Sequence, residues 1–278
     1  MSKFVCPICE SELRKENRQY CCLNHHSFDL AKEGYVNLMP SNKKKSKVPG
    51  DSKEMIDARR EFLDKDHYHN LCVKIIESID QHVSESIQTF DILDAGCGEG
   101  YYIDNIEKQI NISRDVQVYA FDVAKEAIRL AAKRNKDINY FVASSFSLPL
   151  QNDSFDFIIS VFSPIAHEEF HRVIKPGGKL IVASPGPMHL YELKEELYAE
   201  PYQNKLKHQH QHFTLLTSEE VRYSLHLKSN EEIQSLLKMT PYYWKTSKER
   251  IQKVFDELNE LEVTIAFDLS IYETTKKC

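Results

Sequence analysis

Two groups of side chains in this sequence have the types and spacing that chemistry requires, and the first is a set of thiols and imidazoles near the N-terminus. Cys6 and Cys9 form a C-x2-C pair, Cys22 follows after twelve intervening residues, and His26 follows after three more. Three thiolates and one imidazole can complete the tetrahedral coordination of a structural zinc ion. The spacing therefore predicts a small zinc module.

The exact ligands of this module stay open at the level of spacing. Cys21 and His25 lie directly beside Cys22 and His26, so the register is ambiguous by one residue. A redox-active C-x2-C is the alternative, but no βαβ pattern surrounds Cys6. A segment of about forty residues also cannot bury enough apolar surface without an added cross-link or metal, which favours zinc.

The second group is a glycine-rich turn after a short apolar run. The run ends at Asp94, and Gly96, Gly98 and Gly100 follow in a G-x-G-x-G spacing before a helix-like segment at 101–110. Glycine lets the backbone approach a ligand closely, and the start of a helix offers unpaired N–H groups. The turn alone is not specific, because phosphate-binding loops use similar glycines.

A second acid follows at the end of the next apolar run. Asp122 closes residues 118–122, and an acid after the second strand of such a unit suits the hydroxyls of a ribose. It lies 28 residues after Asp94, whereas the dinucleotide fingerprint has a spacing of about 20. Neither G-x-G-x-x-G nor the P-loop G-K-[ST] is present.

The elements that must position these residues alternate between short apolar runs and helical segments. The predicted strands are 90–94, 116–121, 139–143, 155–161 and 178–184, and the predicted helices are 101–110, 124–134 and 165–173. This alternation predicts a parallel sheet covered on both faces. Two helices precede it, one capped by Ser52 and extending to Leu63, and one whose apolar face includes Leu71, Cys72 and Ile75.

The C-terminal part predicts a different arrangement. Residues 188–216 begin as a helix and become rich in Lys, His and Gln, which indicates an inserted lid. Residues 220–228, a helix at 231–238, and residues 263–272 then complete the sheet with an antiparallel strand pair.

Composition limits the class of protein. The 278 residues are 41% hydrophobic and 28% charged, which is typical of a soluble globular chain, and no apolar run approaches the length of about 20 residues of a membrane helix. No apolar signal region is present at the N-terminus, so the seven cysteines are expected to be thiols or metal ligands in the cytoplasm.

Charge is distributed unevenly along the chain. Residues 1–60 contain twelve Lys and Arg against eight Asp and Glu, a net charge of +4 in a chain whose total is −6. Four lysines fall in the segment 41–49, which predicts a basic linker. Such a run is often only a solvated surface, but next to a zinc module it favours contact with phosphates.

Three motifs together resemble the class I S-adenosylmethionine-dependent methyltransferases. They are the glycine turn, the passage from Ser147 to Ser160 and the turn from Phe170 to Leu180 with its K-P-G-G. The resemblance implies a Rossmann-like seven-stranded sheet, with the glycine turn holding the methionine part of the cofactor and Asp122 holding its ribose. Many relatives have an acid where Ser144 stands, so this resemblance implies a weaker adenine contact.

A longer series of motifs resembles one family within that class. The zinc knuckle is followed by segments 31–38, 49–51, 57–60, 94–102 and 185–190 in family order. The family is the RlmA/RrmA-type 23S rRNA (guanine-N1)-methyltransferases, which include tylosin-resistance enzymes. Its pattern after the last ligand matches His26-Ser27-Phe28-Asp29, which implies Cys6, Cys9, Cys22 and His26 as the ligands of a structural zinc.

The resemblance also implies cofactor contacts and partners. The contacts are made by Tyr68, Asp94, Gly96, Gly98, Glu99, Gly100, Asp122, Ser144 and His189. The implied partner is a 23S rRNA hairpin, with no membrane and with a homodimer in which two zinc modules could share one RNA cleft. The expected parts are a zinc-binding RNA-recognition module at 1–40, a basic linker with leading helices at 41–86, and the methyltransferase domain at 87–278.

The catalytic residues are less defined. The loop after the fourth strand meets the substrate base in such folds, and Phe162 there could stack on a guanine. His167, Glu168 and His189 are candidate proton acceptors, although each could equally be a surface or cofactor-contacting residue. Cys97 is expected to pack within the turn, because methylation of nitrogen needs no covalent enzyme adduct.

Two other functions compete with this interpretation. A small-molecule methyltransferase would share the glycine turn and the K-P-G-G motif but has no need of the zinc module. An inactive zinc-ribbon RNA-binding factor would keep the fold, but Asp94, the three glycines and Asp122 are intact. The position of the target guanine is not encoded in any motif.

Overall fold

The chain is built around one large mixed sheet. The computed structural model describes residues 2–40, 50–83, 89–110 and 115–277. Within these residues the sheet has eight strands in the order β10-β11-β9-β8-β5-β6-β7-β4, and a separate three-stranded sheet has the order β1-β2-β3. The neighbouring strands β9, β8, β5, β6, β7 and β4 are parallel, whereas β11 is antiparallel to both β9 and β10.

The bounds of the elements follow in chain order. The strands are β1 (Arg14–Glu16), β2 (Gln19–Cys21), β3 (Ser27–Asp29), β4 (Val36–Asn37), β5 (Thr89–Ala95), β6 (Asp115–Asp122), β7 (Asn139–Val142), β8 (Phe155–Val161), β9 (Ile174–Pro185), β10 (Phe213–Leu227) and β11 (Leu261–Thr274). The helices are α1 (Lys53–Leu63), α2 (His69–His82), α3 (Tyr101–Ile110), α4 (Lys125–Arg134), α5 (His167–Val173), α6 (Tyr191–Leu197), α7 (Asn230–Lys238), α8 (Pro241–Lys245) and α9 (Lys248–Glu257).

The leading helices form as their sequences predict. The Ser52 side chain accepts a hydrogen bond from the N–H of Met55 at 3.2 Å and so caps α1. In α2 the residues Leu71, Cys72, Ile75 and Ile79 are buried, which is the one-sided apolar face of a helix packed on a sheet.

Side chains fill both faces of the sheet, because the central strands are parallel and apolar throughout. On one face α2, α3 and α7 pack against residues such as Ile92 and Phe267. On the other face α5 and the N-terminal module pack against residues such as Leu93 and Tyr272. Successive residues of β5 and of β11 face the two cores alternately, which is the two-residue period expected of strands.

The N-terminal module is joined to the large sheet by hydrogen bonds. β4 pairs in parallel with β7, so the seven strands expected from the sequence are extended by an eighth. On the other side of the module, the N–H of Val5 donates to the carbonyl of Pro149 at 3.0 Å, and the N–H of Gln151 donates to the carbonyl of Lys3 at 2.9 Å. The module therefore lies against both ends of the segment between β7 and β8.

The region predicted as a lid differs from the expectation. Within 188–216 the helix is limited to α6, and β10 already begins at Phe213, seven residues before the predicted strand. The early start follows from pairing with the full length of β11, where Phe213 faces Thr274. Helices α8 and α9 were not predicted individually.

Two further predictions concern the basic linker and membrane-spanning helices. The basic segment 41–49 lies outside the described residues. Among the described helices, none combines the length and the apolar character that crossing a bilayer requires.

Candidate active site and zinc centre

The glycine turn closes around the second acid of the sequence motif. The Asp122 carboxylate accepts hydrogen bonds from the N–H of Gly98 at 3.1 Å and from the N–H of Ala124 at 2.7 Å. Each carboxylate oxygen keeps a further lone pair, so the group can accept from two hydroxyls of a ribose. The ends of β5 and β6 thus bring the turn and the acid together, as the sequence predicts.

Gly96 permits a close approach between two loops. Its φ is +81°, and a Cβ atom there would lie 2.2 Å from Oγ of Ser163. The loop after β8, which carries Phe162 and Ser163, therefore packs directly on the glycine turn. Gly100 completes the turn, and its carbonyl accepts the N–H of Asp104 in the first turn of α3.

Asp94 is buried at the end of β5. Its residue is 2% exposed, and burial together with the nearby Asp122 raises the pKa of its carboxyl to about 8. The region bordered by the glycine turn, Asp122 and the loop after β8 is called the cleft. At neutral pH the Asp94 carboxyl is mostly protonated, and a cationic ligand in the cleft would favour its ionised form.

The side chain of Glu99 is held in a buried ion pair with Arg134. Its carboxylate is 1% exposed and forms an ion pair with Arg134 at 2.5 Å. Arg134 also binds Asp64 at 2.6 Å, so the pair fixes the turn to the loop after α1. A contact of Glu99 with a ligand would therefore use its backbone, while its side chain holds the turn in place.

Tyr68 and His189 meet beneath the turn although 121 residues separate them. Tyr68 Oη lies 3.5 Å from His189 Nε2, and both residues are buried. The N–H of Ala266 donates to His189 Nδ1 at 3.3 Å, so Nδ1 is the acceptor and Nε2 carries the proton. Burial lowers the pKa of His189 to about 3, so this imidazole is neutral and its one lone pair is already used.

An aromatic cluster lines the cleft beside this pair. The ring of Phe162 lies 6.3 Å from that of His189 with a 26° interplanar angle, and it contacts Phe267 at 5.6 Å and Tyr102 at 6.5 Å between centroids. Phe162 has a φ of +54°, a strained conformation for an aromatic residue, and it is 43% exposed. The fold thus holds a flat apolar side chain at the mouth of the cleft.

Sequence reasoning missed part of this cluster. Phe267 and Tyr102 were not singled out, and neither was Tyr223, whose ring lies 6.5 Å from Phe267. Tyr102 follows the glycine turn directly, which was an available signal. Phe267 and Tyr223 lie on β11 and β10, and only the pairing of these strands shows that they face the cleft.

The other two candidate catalytic residues lie apart from the aromatic cluster. His167 Nε2 is 3.1 Å from His210 Nδ1, and Glu168 binds His212 at 3.0 Å. His210 in turn contacts Tyr272, which belongs to the core on the opposite face of the sheet from Phe267. The structure therefore does not bring His167 and Glu168 together with Phe162.

Two more residues of the turn region have defined surroundings. Ser144 accepts a hydrogen bond from the N–H of Phe146 at 3.3 Å and lies in the loop after β7. Cys97 is buried, and burial raises the pKa of its thiol well above the usual value, which makes it a packing residue and not a nucleophile.

The four predicted zinc ligands converge in the N-terminal module. The ligand atoms of Cys6, Cys9, Cys22 and His26 all lie within 4.8 Å of one another. The separations are 3.7 Å between the Cys9 and Cys22 sulfurs, 3.5 Å from Cys6 Sγ to His26 Nδ1 and 3.4 Å from Cys22 Sγ to His26 Nδ1. Bond lengths of about 2.3 Å to sulfur and 2.0 Å to nitrogen predict separations of about 3.5–3.8 Å in a tetrahedral site, so the donor set fits a structural zinc ion.

Comparison with known proteins finds matches to both the zinc module and the region that contains the glycine turn. Residues 4–47 match the family model described as RlmA, N-terminal, which is a zinc ribbon, and residues 92–178 match a methyltransferase domain. A 23S rRNA (guanine(748)-N(1))-methyltransferase of Streptomyces fradiae is 28% identical, with 96% of this chain and 95% of that protein covered. The chain is thus similar to 23S rRNA (guanine-N1)-methyltransferases over nearly its whole length, and its N-terminal part matches the RlmA zinc ribbon.

Further relatives have the same extent of similarity. YxjB of Bacillus subtilis is 29% identical, with 97% of this chain and 96% of that protein covered. Its name describes it as a putative 23S rRNA (guanine-N(1)-)-methyltransferase. Among solved structures, the YcgJ protein from the same species aligns with a TM-score of 0.49 at 14% identity and covers 76% of this chain and 100% of that chain. The similarity to RlmA-type proteins rests on relatives that match nearly the whole chain and on the zinc ribbon.

Proposed function

We propose that this RlmA-type enzyme transfers the methyl group of S-adenosylmethionine to N1 of a guanine in a hairpin loop of 23S rRNA. The observation that carries the proposal is the end-to-end similarity to the Streptomyces fradiae enzyme, which includes the zinc ribbon and the methyltransferase domain in the same chain. A small-molecule methyltransferase would require only the second of these parts.

The cofactor supplies the methyl group from its sulfonium centre, and the surrounding residues are proposed to bind and orient it. Asp122 would accept from the ribose hydroxyls, since its oxygens face the turn. The Tyr68 hydroxyl, which receives a hydrogen bond from His189, has its own proton free for an acceptor such as a carboxylate. Asp94 would balance the positive charge, and the backbone of Gly96, Gly98, Glu99 and Gly100 would form the cradle, with Ser144 near the adenine.

Phe162 is proposed to hold the target base. A guanine paired in a duplex has its N1 blocked, so the base must lie in a loop or be flipped out. An exposed aromatic ring next to the cofactor turn offers a stacking surface, and stacking contributes about 1–3 kcal/mol per base. The strained backbone at Phe162 is consistent with such a use, because strain is kept where it serves a site.

The proton on guanine N1 must leave during the transfer. His189 is an unsuitable acceptor, because its lone pair is held by the N–H of Ala266. We therefore assign His189 a positioning role toward Tyr68. His167 and Glu168 remain candidate proton acceptors only if the substrate reaches the side of the sheet where they lie.

The remaining proposals concern the parts of the chain and its setting. We propose that residues 1–40 recognise RNA, that 41–86 form a basic linker with the leading helices, and that 87–278 carry out methyl transfer. A cytoplasmic enzyme acting as a homodimer, with two zinc modules on one RNA, is consistent with an rRNA substrate. Antibiotic resistance would follow if the modified loop lies in a drug-binding region.

The decisive experiment is a methyl-transfer assay with labelled S-adenosylmethionine on unmodified 23S rRNA. N1-methylguanine cannot pair, so primer extension should stop at one loop guanine. We expect the stop to disappear in Gly98→Asp, which places a carboxylate beside Asp122. In Phe162→Ala we expect kcat/KM to fall by roughly 10-fold or more while the cofactor Kd is unchanged, given the energy of stacking.

Phe162→Tyr is the matched control, since it keeps an aromatic ring and should retain most activity. Transfer to no RNA by the zinc-loaded wild type, with the cofactor still bound tightly, would contradict the rRNA proposal and favour a small-molecule substrate. Failure to bind the cofactor at all would instead favour an inactive RNA-binding factor.

A further inference from the structure

The segment between α6 and β10 has an unusual composition for this chain. Residues 201–218 contain no Asp or Glu, although the whole chain has 42 acidic residues against 36 Lys and Arg. We call residues 204–212 the strap. It contains two lysines and three histidines, together with Asn204, Gln209 and Gln211.

One end of the strap is bound to the turn that carries His189. The N–H of Asn204 donates to the carbonyl of Pro187 at 3.0 Å, and its side-chain amide donates to the carbonyl of Gly186 at 2.8 Å. The N–H of His189 donates to the same Gly186 carbonyl at 3.1 Å. The strap therefore begins beside the turn that positions Tyr68.

The other end of the strap is bound to α5, which begins five residues after Phe162. His210 Nδ1 lies 3.1 Å from His167 Nε2, and the rings of His212 and His171 stack with centroids 4.5 Å apart. His212 also binds Glu168 at 3.0 Å. The strap thus runs from the turn that contains His189, at the end of β9, to α5 and the end of β11, where the N–H of Thr275 donates to the carbonyl of His212 at 2.9 Å.

Inward and outward side chains alternate from Lys207 to His212, after three exposed residues at 205–207. His208, His210 and His212 point inward and are partly buried, and His208 binds Asp268 at 3.0 Å. Lys205, Lys207, Gln209 and Gln211 are exposed. Within the described part of the chain, neither lysine forms an ion pair with an acidic side chain.

These features distinguish the strap from an ordinary charged surface. Each inward histidine uses one ring nitrogen to fix the backbone, which leaves two lysines and two glutamines, together with Leu206, facing solvent. Amides can donate to phosphate oxygens as well as accept from bases, and an acid-free row removes the repulsion that a polyanion would otherwise meet.

We propose that the strap binds the RNA strand on one side of the target base, with Lys205 and Lys207 contacting backbone phosphates. The proposal deepens the rRNA methyltransferase function and rests on it. The part of the strap that follows Asn204 would grip the strand beside the turn that carries His189, while the zinc module would contact the RNA at the opposite edge of the sheet, where β4 lies.

The test compares Lys205→Ala/Lys207→Ala with a control that also removes two exposed lysines. Lys133→Ala/Lys136→Ala is suitable, because both lysines are exposed at the end of α4, which packs against β6 and β7, whereas the strap contacts β11. Filter binding of unmodified 23S rRNA transcript is measured against salt. Loss of two phosphate contacts should reduce the slope of log Kobs against log salt by about 1.4 in the strap variant.

The control variant should keep the wild-type slope, and both variants should bind S-adenosylmethionine as the wild type does, which shows that they are folded. In the strap variant KM for the RNA should rise while kcat is kept. An unchanged slope and KM in the strap variant, with wild-type methylation intact, would overturn the strap proposal alone. Absence of both RNA binding and methylation in the wild type would overturn the proposed function as well.

Discussion

Around the glycine turn, burial determines which ionisable side chains are charged. Asp94 and His189 are both almost fully buried, and burial moves their pKa values in opposite directions, to about 8 and about 3. Both groups are therefore largely neutral at pH 7 when the cleft holds no ligand. A ligand with cationic groups changes this balance for Asp94 but not for His189, whose lone pair is hydrogen-bonded.

The affinity for S-adenosylmethionine should consequently depend on pH. Below about pH 8 the Asp94 carboxyl holds its proton, and a cationic ligand must displace it, so affinity should rise about tenfold per pH unit up to that value and then level off. Calorimetry in buffers of different ionisation enthalpy should show release of nearly one proton at about pH 6.5 and almost none at about pH 9. Asp94→Asn should lose this dependence, and equal heats in all buffers for the wild type would contradict the assignment.

At the scale of elements, the zinc module and the loop after β7, which carries Ser144, form one unit. β4 pairs with β7 before the loop, and residues Lys3 and Val5 bond to Gln151 and Pro149 after it. Ser144 lies between these two attachments. The position of the loop should therefore depend on whether the module is folded, and a module of this size depends on its metal.

Removal of zinc should therefore weaken cofactor binding at a distance. We expect Cys22→Ser to lose the metal and to raise the Kd for S-adenosylmethionine by roughly tenfold, equal to about 1.4 kcal/mol. Metal analysis and calorimetry on the same samples provide the measurement. Cys21→Ser is the neighbouring control and should keep both metal and affinity; an unchanged Kd in zinc-free Cys22→Ser would show that the loop is independent of the module.

At the scale of the whole molecule, distant parts of the chain enclose the cleft together. Arg59 on α1 binds Asp51 and donates to the carbonyl of Met239 at 3.4 Å. Tyr223 on β10 donates to the carbonyl of His67 at 2.5 Å, directly before Tyr68. The leading helices are thereby held against the C-terminal strand pair, and the position of Tyr68 depends on both.

Loss of the Tyr223 hydroxyl should weaken the binding of S-adenosylmethionine. Tyr223→Phe removes one hydrogen bond worth about 1 kcal/mol, so we expect the Kd for S-adenosylmethionine to rise by roughly fivefold with little change in fold. Binding and thermal unfolding are measured together. Tyr20→Phe, which removes a hydroxyl in the zinc module, serves as the control, and equal affinities of the two variants would argue against this coupling.

Local patterns predicted much of this arrangement. The strand, glycine turn and helix around Asp94 follow from residue types that allow few alternatives, and the apolar period of α2 fixes its buried face. The convergence of Cys6, Cys9, Cys22 and His26 was also predictable, although the choice of Cys22 over Cys21 needed a family resemblance.

Other features depend on contacts that no local pattern encodes. β4 has two residues, which is too short for a periodic signal, and it exists because the edge of β7 is available. The outer face of β10 is polar over most of its length, so its start at Phe213 is defined by β11. The neutral state of His189 follows from its burial, and its tautomer follows from the N–H of Ala266, which lies 77 residues away in the sequence.

The pairing of β4 with β7 fixes the position of the zinc module relative to the large sheet. A module on a free tether could sample many distances, but one that shares a sheet with the strands of the methyltransferase region keeps a fixed separation from the cleft. If residues 1–40 recognise RNA as proposed, an RNA that touches both would have to present its loop at a matching distance and angle from its stem. Selection of one guanine among many would accordingly depend on the folded shape of the RNA, with little demand on the bases next to the target.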